Sequence, residues 1–113
     1  MPHNYKKMPE LWRIKEFFKL SDQYPSGLEW VIDKARHKKG DPAGRLNRSN
    51  SYYFVSIDNE EYMAHRIVYY LKTNICPDHY CIKHSFYNKE KDNRLELKPT
   101  YSSTKYKKNI SYV

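Results

Sequence analysis

The sequence predicts an α+β fold. Two segments carry apolar residues at helical spacing, Leu11, Ile14, Phe17, Phe18 and Leu20, and then Ala64, Ile67, Val68 and Leu71. Between them lies Ser51 to Asp58, a run rich in β-branched and aromatic side chains. Strand-rich sequence enclosed by two amphipathic helices favours a helix packed on a small antiparallel sheet. At 113 residues one domain is expected, with a small core.

The elements follow in order. Residues 1–8 read as a flexible basic lead. Pro9 suits a first helical turn, where its missing N–H costs nothing. The helix it opens is expected to run to about Leu20 and to stop before Pro25 and Gly27. Gly27 to Ile32 alternates as a first strand with Leu28 and Trp30 on one face. Arg36 to Arg45 is a basic loop, punctuated by Gly40, Pro42 and Gly44. Leu46 can begin a short strand, and Ser51 to Asp58 is the strongest one. A turn at Asp58-Asn59-Glu60 returns the chain antiparallel through Glu61 to Met63. The second helix then runs to about Lys72, with Arg66, Tyr69 and Tyr70 off its core stripe. The expected product over residues 9–75 is a helix plus a small three-stranded antiparallel sheet packed by one helix. Beyond Cys76-Pro77, Tyr80 to Lys83 reads as a short strand and Asn93 to Leu97 as a short helix or extended turn. Residues 99–113 form a Tyr/Lys tail, which could track a nucleic-acid strand or lack order.

Charge indicates the partner class. Twenty-one Lys and Arg against 13 Asp and Glu give a formal net charge of +8. On so small a domain that favours a polyanion, because each neutralised phosphate releases condensed counterions. Twelve tyrosines add rings that pack and stack while keeping a wet hydroxyl. No run of eighteen apolar residues predicts a membrane span, and no apolar stretch behind the first basic residues suggests a secretory signal. Cys76 and Cys81 do not make a disulfide framework, so a reducing, intracellular setting is expected. Cys76, His79, Cys81 and His84 are all zinc-ligand types. They fall within nine residues, whereas structural zinc sites use two pairs separated by a longer loop, so Zn²⁺ is not expected.

Several short segments carry a shared order. Leu11-Trp12-Arg13-Ile14-Lys15-Glu16-Phe17-Phe18 is followed by Ser26-Gly27-Leu28-Glu29-Trp30, and then by Gly40-Asp41-Pro42-Ala43-Gly44-Arg45-Leu46-Asn47. Tyr53 to Asp58, Ala64-His65-Arg66-Ile67-Val68-Tyr69-Tyr70 and His84 through Leu97 complete it. Over roughly residues 11–98 this order resembles the small phage-type HNH endonucleases of the His-Me finger superfamily, including homing endonucleases. Their first half often carries an AP2-like, three-stranded DNA-binding element.

The resemblance implies phosphodiester hydrolysis on double-stranded DNA with one divalent ion, Mg²⁺ or Mn²⁺, by an intracellular protein of a phage host. It implies a ββα finger over residues 76–98. His84 matches the family base, and Asp92-Asn93-Arg94 matches its Asp-Asn-Arg, with Asn93 or Asn88 orienting the histidine. His65-Arg66 matches a His-Arg that opens the central helix in a structural role. Metal-ligand candidates are Asp78, His79 and Asp92, with Asp78-His79 as an alternative acid–base pair. DNA-contact candidates are Arg36, Lys38, Lys39, Arg45, Arg48, Arg66, Lys83 and Arg94.

Two departures stand out. Lys83 occupies the place where the family carries Asp before the base, and Arg94-Leu95-Glu96-Leu97 lacks the family's following asparagine. A decayed, catalytically inactive DNA-binding scaffold is the alternative. A protein-interaction module using the tyrosine-rich surface is a third reading.

Overall fold

The computed structural model describes residues 7–85 and 87–101, with His79 and Tyr101 described as backbone only. The fold is α+β, with two α-helices and three small antiparallel sheets among the described residues. Helix α1 spans Leu11–Phe17 and passes directly into strand β1, Phe18–Leu20. The helix therefore ends three residues before Leu20. Phe18 turns extended and pairs with Trp30 in strand β2, Leu28–Trp30, and the two rings meet at 4.7 Å. A distant partner strand overrides the helical spacing of the segment, because pairing buries Phe18 to 1% exposure.

The basic loop after β2 is held by its own backbone. Trp30 N–H donates to Asp41 O at 3.0 Å, Gly40 N–H to Trp30 O at 2.8 Å, and Lys39 N–H to Asp33 Oδ1 at 2.9 Å. Strands β3 (Arg45–Asn47), β4 (Tyr52–Ile57) and β5 (Glu60–Met63) make the three-stranded sheet in that order. Asp58 and Asn59 both have positive φ, 53° and 67°, which a two-residue hairpin with the right twist requires. Arg13 grips that turn with a fork to Asp58, at 3.0 Å and 2.6 Å, and so ties α1 to the sheet.

Helix α2, Ala64–Thr73, is the centre of the core. Ala64, Ile67 and Val68 are fully buried, and the helix packs on β1, β4, β5 and β6. Arg66 and Tyr69, expected off the core stripe, are also buried, at 4% and 8% exposure, because the chain beyond the helix folds back over that side. Asn74 closes the helix in the left-handed conformation (φ 61°), its N–H bonded to Tyr70 O at 2.8 Å.

After a 3₁₀ turn at Pro77–His79, strand β6 (Tyr80–His84) pairs with β7 (Leu97–Tyr101). The start of the expected tail is thus a strand. Its Pro99 sits opposite Ile82 on an edge, the position in a sheet that proline tolerates. Residues 93–96, expected as a short helix or extended turn within a finger over residues 76–98, form a turn that leads into β7, and β7 runs past that expected boundary. Residues 102–113, the rest of the expected tail, lie outside the described residues. No helix among the described residues is long and apolar enough to cross a membrane.

One close approach joins the two ends of the chain. Gly27 has φ +81°, and a Cβ there would stand 3.0 Å from Val68 Cγ2 and 3.1 Å from Asn93 Cβ. Gly27→Ala is expected to destabilise the fold by about 1–3 kcal/mol through backbone strain and overpacking. Urea unfolding measures it, and a change below about 0.5 kcal/mol would contradict the packing described.

Candidate active site around His84

His84 ends β6, and the twelve-residue stretch 85–96 returns the chain to β7. That return is built around asparagines. Asn88, 8% exposed, exchanges two hydrogen bonds of 2.9 Å with the backbone of Asp92. Its side chain is consumed in shaping the loop, so it does not orient His84.

Asn93 does. It is 1% exposed and fixed on three sides. Its N–H donates to Pro25 O at 2.7 Å, its Nδ2 donates to Ser26 O at 2.9 Å, and its Oδ1 lies 2.6 Å from His84 Nε2. A carbonyl can only accept, so Ser26 dictates which end of the amide faces it. The amide oxygen is left for the histidine, and Nε2 must carry the proton. In the neutral ring Nδ1 then holds the free lone pair.

The environment keeps that ring neutral. Burial pushes the His84 pKa down, and the Lys91 charge pushes the same way, against the hydrogen bond to Asn93 and the charge of Asp92. The ring also belongs to a triangular cluster of three rings. His65 lies 4.8 Å from His84, and Tyr52 lies 5.3 Å from His65 and 5.8 Å from His84. Lys91 Nζ sits 5.0 Å from the Tyr52 centroid. His65 is 4% exposed and donates from Nε2 to Ile82 O at 2.7 Å, which ties α2 to β6. Burial, reinforced by the charge of His84, takes its pKa from 6.5 to about 3. His65 is therefore a neutral structural ring behind His84, and Tyr52 is a site residue that the sequence reading missed.

A cleft of about 520 Å³ opens at this cluster, lined by His84, Tyr52, Asn88, Lys83, Lys89 and Lys91. Lys83 is exposed on β6 and stands opposite Lys98 on β7. Like charges directly across a strand pair repel, and an anion between them relieves the repulsion.

The two carboxylates among the metal candidates each have another partner. Asp92 gives both oxygens to Arg94, at 2.9 Å and 2.6 Å, and that guanidinium holds its pKa below the usual carboxylate value. Asp78 precedes β6, roughly 15–20 Å from His84 by the rise of a strand, and accepts from Met8 N–H at 2.8 Å. The His79 side chain lies outside the described residues. No group of three His, Cys, Asp or Glu able to hold a metal occurs among the described residues. Among the described side chains, Lys83 follows Ile82 into the place beside His84 and Asp92 is occupied by Arg94.

The cationic candidates separate into two kinds. Arg36, Lys38, Lys39, Arg48 and Lys83 are exposed. Arg45 is exposed and ion-paired with Glu61, and Arg94 is paired with Asp92 and reaches Asp22 O at 3.3 Å. Arg66 does not reach the surface. It is buried, with its guanidinium donating to Tyr80 O and Pro77 O, and it clamps the start of β6 to α2.

Comparison with family models, with curated proteins and with solved structures gives no match.

The depressed histidine pKa values make stability depend on pH. The unfolded chain takes up a proton near pH 6.5, whereas folded His65 does so only near pH 3. Its contribution is complete above pH 6.5 and is lost as pH falls toward 3, at about 1.4 kcal/mol per unit. Urea unfolding between pH 7 and 5 is expected to show this slope, and His65→Leu is expected to flatten it. An unchanged slope in the variant would rule out a buried neutral His65.

Proposed function

We propose that the protein binds double-stranded DNA and hydrolyses a phosphodiester bond, with His84 as general base. The observation that supports this most is the Asn93 contact, which holds the proton on Nε2 and leaves Nδ1 of the neutral ring as the proton acceptor. In this reading Nδ1 takes a proton from a water in the lysine-lined cleft. The hydroxide attacks phosphorus, the bond to the leaving sugar oxygen breaks, and that oxygen takes its proton from solvent or from the His84 imidazolium. Lys83, Lys89 and Lys91 offset the charge on the phosphate. The exposed Arg36, Lys38, Lys39 and Arg48 supply sequence-independent backbone contacts. The resemblance to HNH endonucleases points the same way and asks for Mg²⁺ or Mn²⁺; no step here depends on the ion.

A second reading has its own support. Lys83 stands where an acid would be needed, and Arg94 ties up Asp92. Both suit a protein that holds DNA without cutting it.

Supercoiled plasmid incubated with and without Mg²⁺ or Mn²⁺ separates the two. The wild type is expected to nick it, and His84→Ala to lose about 100-fold or more of the rate while still binding. Binding by both proteins without nicking by either would move the conclusion to the second reading. Affinity that stays flat between low and moderate salt would contradict both, since phosphate contacts weaken steeply with salt.

A further inference from the structure

A second cleft lies away from His84, where the basic loop meets the outer face of the three-stranded sheet. It measures about 480 Å³ and is lined by Trp30, His37, Lys34, Phe54, Ser56 and Arg45, among others. Clefts that hold small organic groups run from about 300 to 1,000 Å³. Three features of this one are unusual together.

The first is a buried donor with nothing to donate to. Trp30 is 8% exposed, and its Nε1–H has no hydrogen-bond partner among the described residues. Buried indole N–H groups normally find an acceptor, and an orphan calls for an explanation. The second is a ring already lying on the indole face. His37 stacks on Trp30 with centroids 4.6 Å apart and planes 15° from parallel. His37 belongs to an exposed turn, closed by its backbone pairing with Lys34. Its side chain can leave the indole without breaking that pairing. The third is composition. Phe54 gives an apolar wall, while Lys34 and Arg45 put cations at the cleft, the latter already ion-paired with Glu61.

We propose that this cleft takes one unstacked nucleobase of a bound DNA together with its adjoining phosphate. The flat base replaces His37 on the indole face. Stacking on an aromatic side chain is tolerant of sequence, since every base has a π-face. An oxygen of the attached sugar-phosphate enters the cleft and accepts from Trp30 Nε1–H, and Lys34 pairs with the phosphate charge. The cost of extruding a base is smallest where it is already unpaired, so the cleft favours DNA with a bulge or a frayed base. The proposal rests on the DNA-binding reading, and it does not depend on whether His84 cleaves.

Two duplexes test it, identical except that one carries a single unpaired base. Each is titrated into ¹⁵N-labelled protein while the two indole N–H signals are followed; Trp12, 63% exposed, serves as the reference. The bulged duplex is expected to bind about tenfold or more tightly and to shift the Trp30 signal. Trp30 itself packs against Phe18, so the variants leave it intact. Ser56→Leu, at an exposed position lining the cleft, is expected to remove the preference for the bulge. His37→Ala, which uncovers the indole, is expected to keep or increase it. Equal affinity for both duplexes with an unmoved Trp30 signal would overturn the proposal and leave DNA binding standing. So would a full preference in Ser56→Leu. Binding to neither duplex would overturn both.

Discussion

The three hydrogen bonds of Asn93 are the constraint on which the rest of the site depends. A fully buried amide with both ends committed has one orientation, and here that orientation is set by a carbonyl far away in sequence, Ser26, while Pro25 O holds the Asn93 backbone N–H. Those carbonyls belong to the turn that ends in β2, and the turn is held by Gly27, whose missing Cβ lets Asn93 and Val68 approach. The N-terminal sheet therefore fixes the protonation pattern of a histidine in the C-terminal hairpin. Folding and function are joined at one residue: loosening the Gly27 turn would free the amide, and His84 would lose its preferred tautomer.

Burial and the Lys91 charge act in the same direction on the histidine that Asn93 holds. The cluster of Tyr52, His65 and His84 removes water from two imidazoles, and the nearby Lys91 further disfavours their protonated forms. A neutral histidine among cations is a poor partner for another cation and a good one for a water beside a phosphate. The same lysines that suppress protonation of His84 would attract the group it is to act on. Asp92 gives both of its oxygens to Arg94, and its charge only partly offsets the effects of burial and Lys91 on His84.

Much of this architecture was legible in the sequence, and the exceptions have particular causes. Strands β4 and β5 and helix α2 follow from alternation, from the Asp58-Asn59 turn and from helical spacing, all of which are local signals. The end of α1 was not legible, because Phe18 leaves the helix for a strand partner ten residues and more away. Strand β7 was hidden by Lys98, Pro99 and Thr100, which read as tail until Ile82 and Cys81 pair with them. Arg66 looked like a surface cation, since nothing local reveals that Pro77 and Tyr80 would present carbonyls to it. At the site, His84 and Asn93 were both singled out, but the choice between Asn88 and Asn93 needed the loop geometry. Tyr52 gave no signal beyond its place in a strand.

The measurement that bears most directly on this account is the tautomer of His84. Long-range ¹H–¹⁵N correlation of the imidazole at neutral pH reports which nitrogen carries the proton. The account predicts a neutral ring protonated at Nε2, titrating below pH 6.5, and a loss of that single-tautomer pattern in Asn93→Ala. A ring protonated at Nδ1, or one already charged at neutral pH, would contradict it.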